Sequence, residues 1–80
     1  MTNEEIKSVI IKQILEIAPD IEKNEITDDE NIQSSLEIDS FDFLKILTAM
    51  NEQVGVEVPE SDYSKVDTLT HMVEYFSNRL

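Results

Sequence analysis

The apolar residues of this chain recur at helical spacing in three stretches, separated by segments with no sustained period. Thr2 and Glu5 stand at the separation of a capping box, in which each side chain satisfies the backbone N–H of the other. Ile6, Val9, Ile10, Ile14 and Ile17 then share one face until Pro19, and the pattern predicts a first helix over roughly residues 3–18. Ile11, Leu15 and Ala18 widen the stripe, as expected where a helix meets more than one neighbour. Residues 19–38 carry only scattered anchors, Ile21, Ile26, Ile32, Leu36 and Ile38, which predicts a long connection lying over the core. Asp28 with Asn31, or Ser34 with Ser35, offers the start of a single helical turn inside it.

From Ser40 a second helix is predicted to Val54, where Gly55, the one glycine of the chain, supplies a left-handed residue to close it. At about 100° per residue, Phe43, Ile46, Leu47, Met50 and Val54 cluster on one side as core candidates. Phe41, Lys45, Thr48 and Glu52 fall on the opposite side, with Leu44 at the border, so Phe41 is expected to face water. Val56, Val58 and Pro59 read as an extended link, since a strand here has no second strand to pair with. Residues 60–65 suit a short helix with Tyr63 and Val66 turned inward. Asp67 or Thr68 caps a last helix in which Leu69, Met72, Val73, Phe76 and Leu80 repeat. The expected fold is all-α: a single domain over residues 1–80, built as a four-helix bundle of three longer helices and one short one, with a long loop between the first two.

Charge narrows the range of functions. Eighteen acidic residues against six basic ones give a net charge of −12, which repels a phosphate backbone and counts against nucleic acid as a partner. The acidic N-terminus and the short apolar runs suit neither a signal peptide nor a membrane span, so a cytoplasmic location is expected. With 40% hydrophobic residues the chain can fold, and the charge is expected to coat a small core. So small a domain has little room for a water-excluding cleft, which argues against an autonomous enzyme, and a monomer is expected. Nine carboxylates lie between Asp20 and Asp42, against the single base Lys23. Such a run is either a solvated loop or a field that steers basic partners toward its C-terminal end, where Ser40 stands.

Metal and catalytic patterns fail on inspection. A calcium loop begun at Asp28 would need a ligand at Ile32, a glycine at Gln33 and a bidentate glutamate at Asp39. One histidine and no cysteine rule out the usual zinc sets. A Ser40–His71–carboxylate triad can be written, but His71 lies about 200° around the wheel from Leu69 and is expected in solvent. A phosphate-cradling loop needs several glycines. Ser40 remains: taken alone it reads as a helix cap, yet it sits between Asp39 and Phe41, with Asp42 close by, at a helix N-terminus whose free N–H groups and dipole tolerate an anionic group.

Asp39-Ser40-Phe41 resembles the Asp-Ser-Leu attachment motif of the acyl carrier protein family, the phosphopantetheine-binding carriers. The likeness covers nearly the whole chain and includes Leu36 before the serine, the Gly55 to Pro59 spacing, a short third helix and Tyr75 near the end. It implies that 4′-phosphopantetheine is esterified to Ser40 by a phosphopantetheinyl transferase (holo-ACP synthase), with Asp39 as part of the motif that this enzyme reads. It also implies that Phe41, Asp42, Leu44, Lys45, Thr48 and Glu52 face partners, namely acyl-transferring and chain-elongating enzymes. Glu37 replaces a common glycine, Phe41 a common leucine, Lys45 a common glutamate and Asn51 a common acid. These departures make a specialised carrier, in polyketide or other lipid synthesis, as much an expectation as the fatty-acid cycle. Two other readings stand beside it: an acidic helical interaction module in which Ser40 is only a cap, and a carrier of aminoacyl or aryl groups.

Overall fold

In the computed structural model, which describes residues 1–80, four α-helices and two 3₁₀ segments account for the regular structure. Helix α1 spans Asn3–Ile17, α2 Ile32–Leu36, α3 Ser40–Val54 and α4 Leu69–Ser77; the 3₁₀ segments cover Lys23–Glu25 and Glu60–Val66. The all-α architecture expected from periodicity is present, with three longer helices and the short segment between α3 and α4. That segment is a 3₁₀ helix, and the long connection holds a five-residue α-helix of its own.

Each long helix starts where a side chain takes over the backbone. At α1 the capping box closes as expected: the Glu5 N–H donates to Thr2 Oγ1 (3.1 Å) and the Thr2 N–H to Glu5 Oε1 (2.8 Å). Asn31, one of the two candidate starts in the connection, caps α2 by accepting the Ser34 N–H (2.9 Å). Thr68, and not Asp67, caps α4 by accepting the His71 N–H (3.0 Å).

Burial follows the predicted stripes. Ile6, Ile10 and Ile14 of α1 are fully buried, and α1 packs against both α3 and α4. Phe43, Ile46, Leu47 and Met50 come in from α3, and Leu69, Met72, Tyr75 and Phe76 from α4. Val56 and Val58 are buried on the extended link, and Val66 is fully buried at the end of its 3₁₀ segment. Tyr63 meets the edge of Phe43 with ring centroids 6.5 Å apart. Val9, Ile17, Val54 and Val73 are only half-buried, so they close the margins of the core. Leu80 departs from its expected place: α4 ends at Ser77, and Leu80 lies beyond it, 53% exposed. Phe76 is the last inward residue of α4, and beside it the Tyr75 hydroxyl donates to Asp62 Oδ2 (2.7 Å) while its ring is buried.

The acidic connection is pinned to the bundle. The Ile32 N–H donates to the Asp67 carbonyl (2.9 Å) and the Thr70 N–H to the Asp28 carbonyl (3.0 Å), on either side of a bridge between Asn31 and Thr68. Thr70 Oγ1 donates to Asp29 (3.1 Å), and Lys7 of α1 pairs with Asp28 at 2.7 Å. These bonds hold the connection against the N-terminus of α4. No helix is long and apolar enough to cross a membrane.

Three expectations test this account. Replacing Ile10 by Ala leaves a cavity where α1 meets the core, so it should cost about 2–4 kcal/mol, read as a lower urea midpoint with an unchanged slope. Glu37 is the one non-glycine residue with positive φ (54°), a conformation that costs an L side chain about 1 kcal/mol; Glu37→Gly should therefore stabilise the chain, by somewhat less than about 1 kcal/mol because glycine also frees the unfolded state. An unchanged or lower midpoint would contradict the strain.

The third concerns pH. His71 Nδ1 lies 2.6 Å from Asp67 Oδ1, and this bond, helped by the charges of Asp67, Glu74 and Asp29, holds the imidazole pKa above its ordinary 6.5. The same bond holds Asp67 below 3.8. A raised histidine stabilises fully below its unfolded pKa, and that contribution disappears as pH rises through the folded one. Stability should thus fall as pH climbs past about 6.5 in the wild type, and His71→Gln should remove this component. The C2 proton of the His71 ring, followed by NMR, should titrate with a midpoint above that of a free imidazole.

Candidate functional site

The route into Ser40 is set by three residues. After α2 the chain turns through Glu37 in the left-handed conformation, and the Ile38 N–H returns to the Gln33 carbonyl (2.9 Å). Ile38 buries its side chain and so anchors the turn. Glu37 therefore adopts the conformation a glycine would favour, and the turn keeps its shape at some cost in strain.

Asp39 is the cap of α3. Its Oδ1 accepts the Asp42 N–H at 2.8 Å and its carbonyl accepts the Phe43 N–H at 2.9 Å. Ser40 is consequently the first residue inside the helix, exposed, with its hydroxyl in no hydrogen bond of the chain. The question whether Ser40 serves as a cap is answered by its neighbour: Asp39 fills that role, and a cap of this kind is worth about 1 kcal/mol. The Ser40 and Phe41 N–H groups have no acceptor in the chain, so the positive end of the α3 dipole is open beside the free hydroxyl.

The predicted division of α3 holds in detail. Phe41 is 77% exposed, Leu44 is at the margin, and Lys45, Thr48 and Glu52 face solvent. Asp42 is half-buried and pairs loosely with Lys45 at 3.6 Å. An open groove of about 680 Å³ runs between this face and the C-terminal half of α1. Phe41, Leu44 and Ala49 form one wall, and Gln13 and Ile17 the other. Gln13 is absent from the residues that the sequence pattern marks, although its position is legible there: it stands three residues after Ile10 and four before Ile17, on the apolar stripe. It is the only buried polar residue, 6% exposed.

The other candidates do not converge on Ser40. His71 bonds Asp67, so the triad written from sequence does not assemble. A pocket of about 470 Å³ between the second 3₁₀ segment and α4 gathers Lys65, His71 and Arg79. Its cations are already engaged: Lys65 with Asp62 (3.4 Å), and Arg79 with Asp62 (3.8 Å) and 3.5 Å over the Tyr75 ring. The Tyr75 hydroxyl and these cations hold the Asp62 carboxyl below its ordinary value, as expected of a structural clasp. No group of three or more His, Cys, Asp or Glu side chains is placed to hold a metal ion.

Comparison with known proteins agrees with this geometry. Residues 8–76 match the family model described as phosphopantetheine attachment site. An acyl carrier protein of Lactobacillus johnsonii is 36% identical over 78 residues, covering 98% of this chain and 96% of that protein. Acyl carrier proteins of Campylobacter hominis (33% over 75 residues, 94% of this chain and 89% of the relative) and Rubrobacter xylanophilus (29% over 69 residues, 82% and 85%) are similar at comparable length. With the family model matched from the middle of α1 to the end of α4, the chain belongs to the acyl carrier protein family, the proteins that bear a covalently attached 4′-phosphopantetheine.

Proposed function

We propose that this chain is a non-catalytic carrier of acyl groups, with its 4′-phosphopantetheine arm esterified to Ser40, in fatty acid, polyketide or related lipid synthesis. The observation that carries the proposal is the released hydroxyl: Asp39 caps α3, and Ser40 Oγ faces solvent with no bond to lose. The surroundings fit a phosphodiester. Two unpaired N–H groups and the helix dipole favour negative charge at this end of α3. No basic group of the chain bonds Ser40, so its proton must pass to the modifying enzyme. Asp39, which fixes the start of the helix, sets where that enzyme finds the oxygen.

When attached, the arm supplies a terminal thiol that holds an acyl group as a thioester. What the chain itself contributes is delivery and recognition. Docking makes the reaction with a partner's active site effectively intramolecular, so the carrier needs no cleft of its own. Phe41 and Leu44 offer apolar contact to a partner, while Asp42, Thr48 and Glu52 give the polar rim and Lys45 adds one cation. The phosphopantetheinyl transferase and the acyl-transferring and elongating enzymes are the partners this face suits. Glu37, Phe41, Lys45 and Asn51 favour a dedicated pathway as much as the housekeeping one.

Incubation with coenzyme A and a broad-specificity phosphopantetheinyl transferase should raise the intact mass by one phosphopantetheinyl unit. Ser40→Ala should abolish the gain with unchanged circular dichroism, because the hydroxyl bonds nothing in the fold. A wild-type chain that stays unmodified with several such enzymes, or a Ser40→Ala variant that still gains the mass, would refute the proposal.

A further inference from the structure

The bundle uses only part of the widened apolar stripe of α1. Ile6, Ile10 and Ile14 are fully buried where α1 meets α3 and α4. Leu15 stands about 180° around the helix from Ile6, half-buried and without packing on the core, and Ile11 beside it reaches only the core's margin. Next to them opens a groove of about 340 Å³ lined by Ser8, Ile11, Lys12, Leu15, Glu16 and, from the first 3₁₀ segment, Lys23. Its cations set it apart. Of the six Lys and Arg side chains, Lys7, Lys45, Lys65 and Arg79 pair with carboxylates, whereas Lys12 and Lys23 pair with none, and both line this groove. Carboxylates near them in sequence do not serve: Glu25 is committed to the Glu22 N–H (2.9 Å), and Glu16 follows Lys12 in the less favourable order for a helical pair. In a chain with eighteen acidic residues, this is where positive charge is left over, and it lies beside two aliphatic side chains that the core does not fully claim.

We propose that this groove on the outer side of α1 is a second docking face, taken by a protein partner that presents carboxylates beside apolar side chains, as one face of an acidic amphipathic helix does. Charge selects the occupant. A second copy of this chain brings a net charge of −12 against −12, and an anionic membrane surface is repelled in the same way, so two lysines are outweighed in both cases. A protein that is neutral or basic overall, with acids only where it meets Lys12 and Lys23, escapes that repulsion and finds complementary charge. A free alkyl carboxylate would have only Ile11 and Leu15 against its tail, too little apolar surface to enclose it, whereas a protein surface covers the groove from rim to rim. None of the lining residues comes from α3 or from the turn before it, so a partner can hold the chain here without occupying Ser40. Glu16 also lines the groove between α1 and α3; the two faces therefore adjoin, and a large partner can span both.

The test titrates a synthetic amphipathic helical peptide, with a stripe of leucines flanked by glutamates, into the isotopically labelled full-length chain; the same peptide with lysines in place of the glutamates is the control. The glutamate peptide should shift the backbone amides of Ser8, Ile11, Lys12, Leu15 and Lys23, while the lysine peptide should shift the acidic connection instead. Replacing both cations, Lys12→Gln with Lys23→Gln, should weaken the glutamate peptide about tenfold, as the loss of two exposed charge pairs implies. Leu15→Ala should weaken it as well, and both variants should keep the wild-type circular dichroism, because these side chains lie outside the core. An absence of shifts at these amides with millimolar glutamate peptide, equal shifts from both peptides, or binding indifferent to Lys12 and Lys23 would rule the docking face out. Shifts at the same amides that follow protein concentration alone would assign the groove to a second copy, and decanoate that reproduces the peptide's pattern with the same lysine dependence would assign it to an alkyl anion; either overturns the proposal. The Ser40→Ala chain should bind the peptide as the wild type does, so the outcome is separate from that of the attachment experiment.

Discussion

The fold depends on α1 touching α3 and α4 at once through the fully buried Ile6, Ile10 and Ile14. The chain carries a net charge of −12, and self-repulsion of that size favours expansion. What opposes it is a core of sixteen apolar residues, drawn from every long helix and from the extended link. A small domain buries a limited fraction of its surface, so there is no reserve of apolar area elsewhere to make up for a loss in α1. The carboxylates are kept at the periphery, where water solvates them, and some of the few cations are placed where they tie segments together. Lys7 holds Asp28 of the connection, and Arg79 with Lys65 closes on Asp62 near the C-terminal end of α4.

That arrangement explains how a site with no pocket can still be positioned. Ser40 is presented by a chain of local constraints: Ile38 is buried, Glu37 holds a left-handed turn, and Asp39 accepts the Asp42 N–H. Upstream of the turn, the connection is fastened to α4 by the Asn31–Thr68 bridge and the Thr70 bonds to Asp28 and Asp29. The hydroxyl is thus free to react while the backbone beneath it is not free to move far. On the proposed attachment at Ser40 the two properties belong together, since the modifying enzyme must find a fixed oxygen and the cargo must remain mobile.

Much of this is legible in the residues. The 3.6-residue period locates α1, α3 and α4, and the wheel of α3 separates Phe43, Ile46, Leu47 and Met50 from Phe41, Lys45, Thr48 and Glu52, as the structure does. Capping signals are nearly as informative: Thr2 with Glu5 is unambiguous, whereas Asp67 and Thr68 are both able to cap α4 and only the fold selects Thr68. Periodicity misplaces Leu80 because it continues on paper past Ser77, where the helix ends. Gln13 lies on the apolar stripe, but a polar residue there becomes meaningful only once the second wall of the groove, from α3, is known. Ser40 and Asp39 stand out together in the sequence, but their division of labour, with Asp39 as cap and Ser40 free, is a matter of one hydrogen bond that spacing alone does not assign.

On the carrier reading, the position of Lys45 gives the docking face a direction. Asp39 and Asp42 make the end of α3 near the attachment point negative, and the acidic connection adds to that field. Lys45, one helical turn after Phe41, reverses the sign locally while pairing only loosely with Asp42 across 3.6 Å. A wholly basic partner surface is attracted to the start of the helix and repelled one turn later, so it cannot satisfy both ends in the same pose. A partner bearing an acid opposite Lys45 and bases nearer Ser40 can, and it brings Phe41 and Leu44 into apolar contact in doing so. Because exposed charges act mainly on encounter rate and orientation, and add little to affinity, such a pattern selects among partners without holding any of them long. Fast release is what a shuttle needs, and it follows from placing specificity in the field while keeping the apolar anchor down to two side chains.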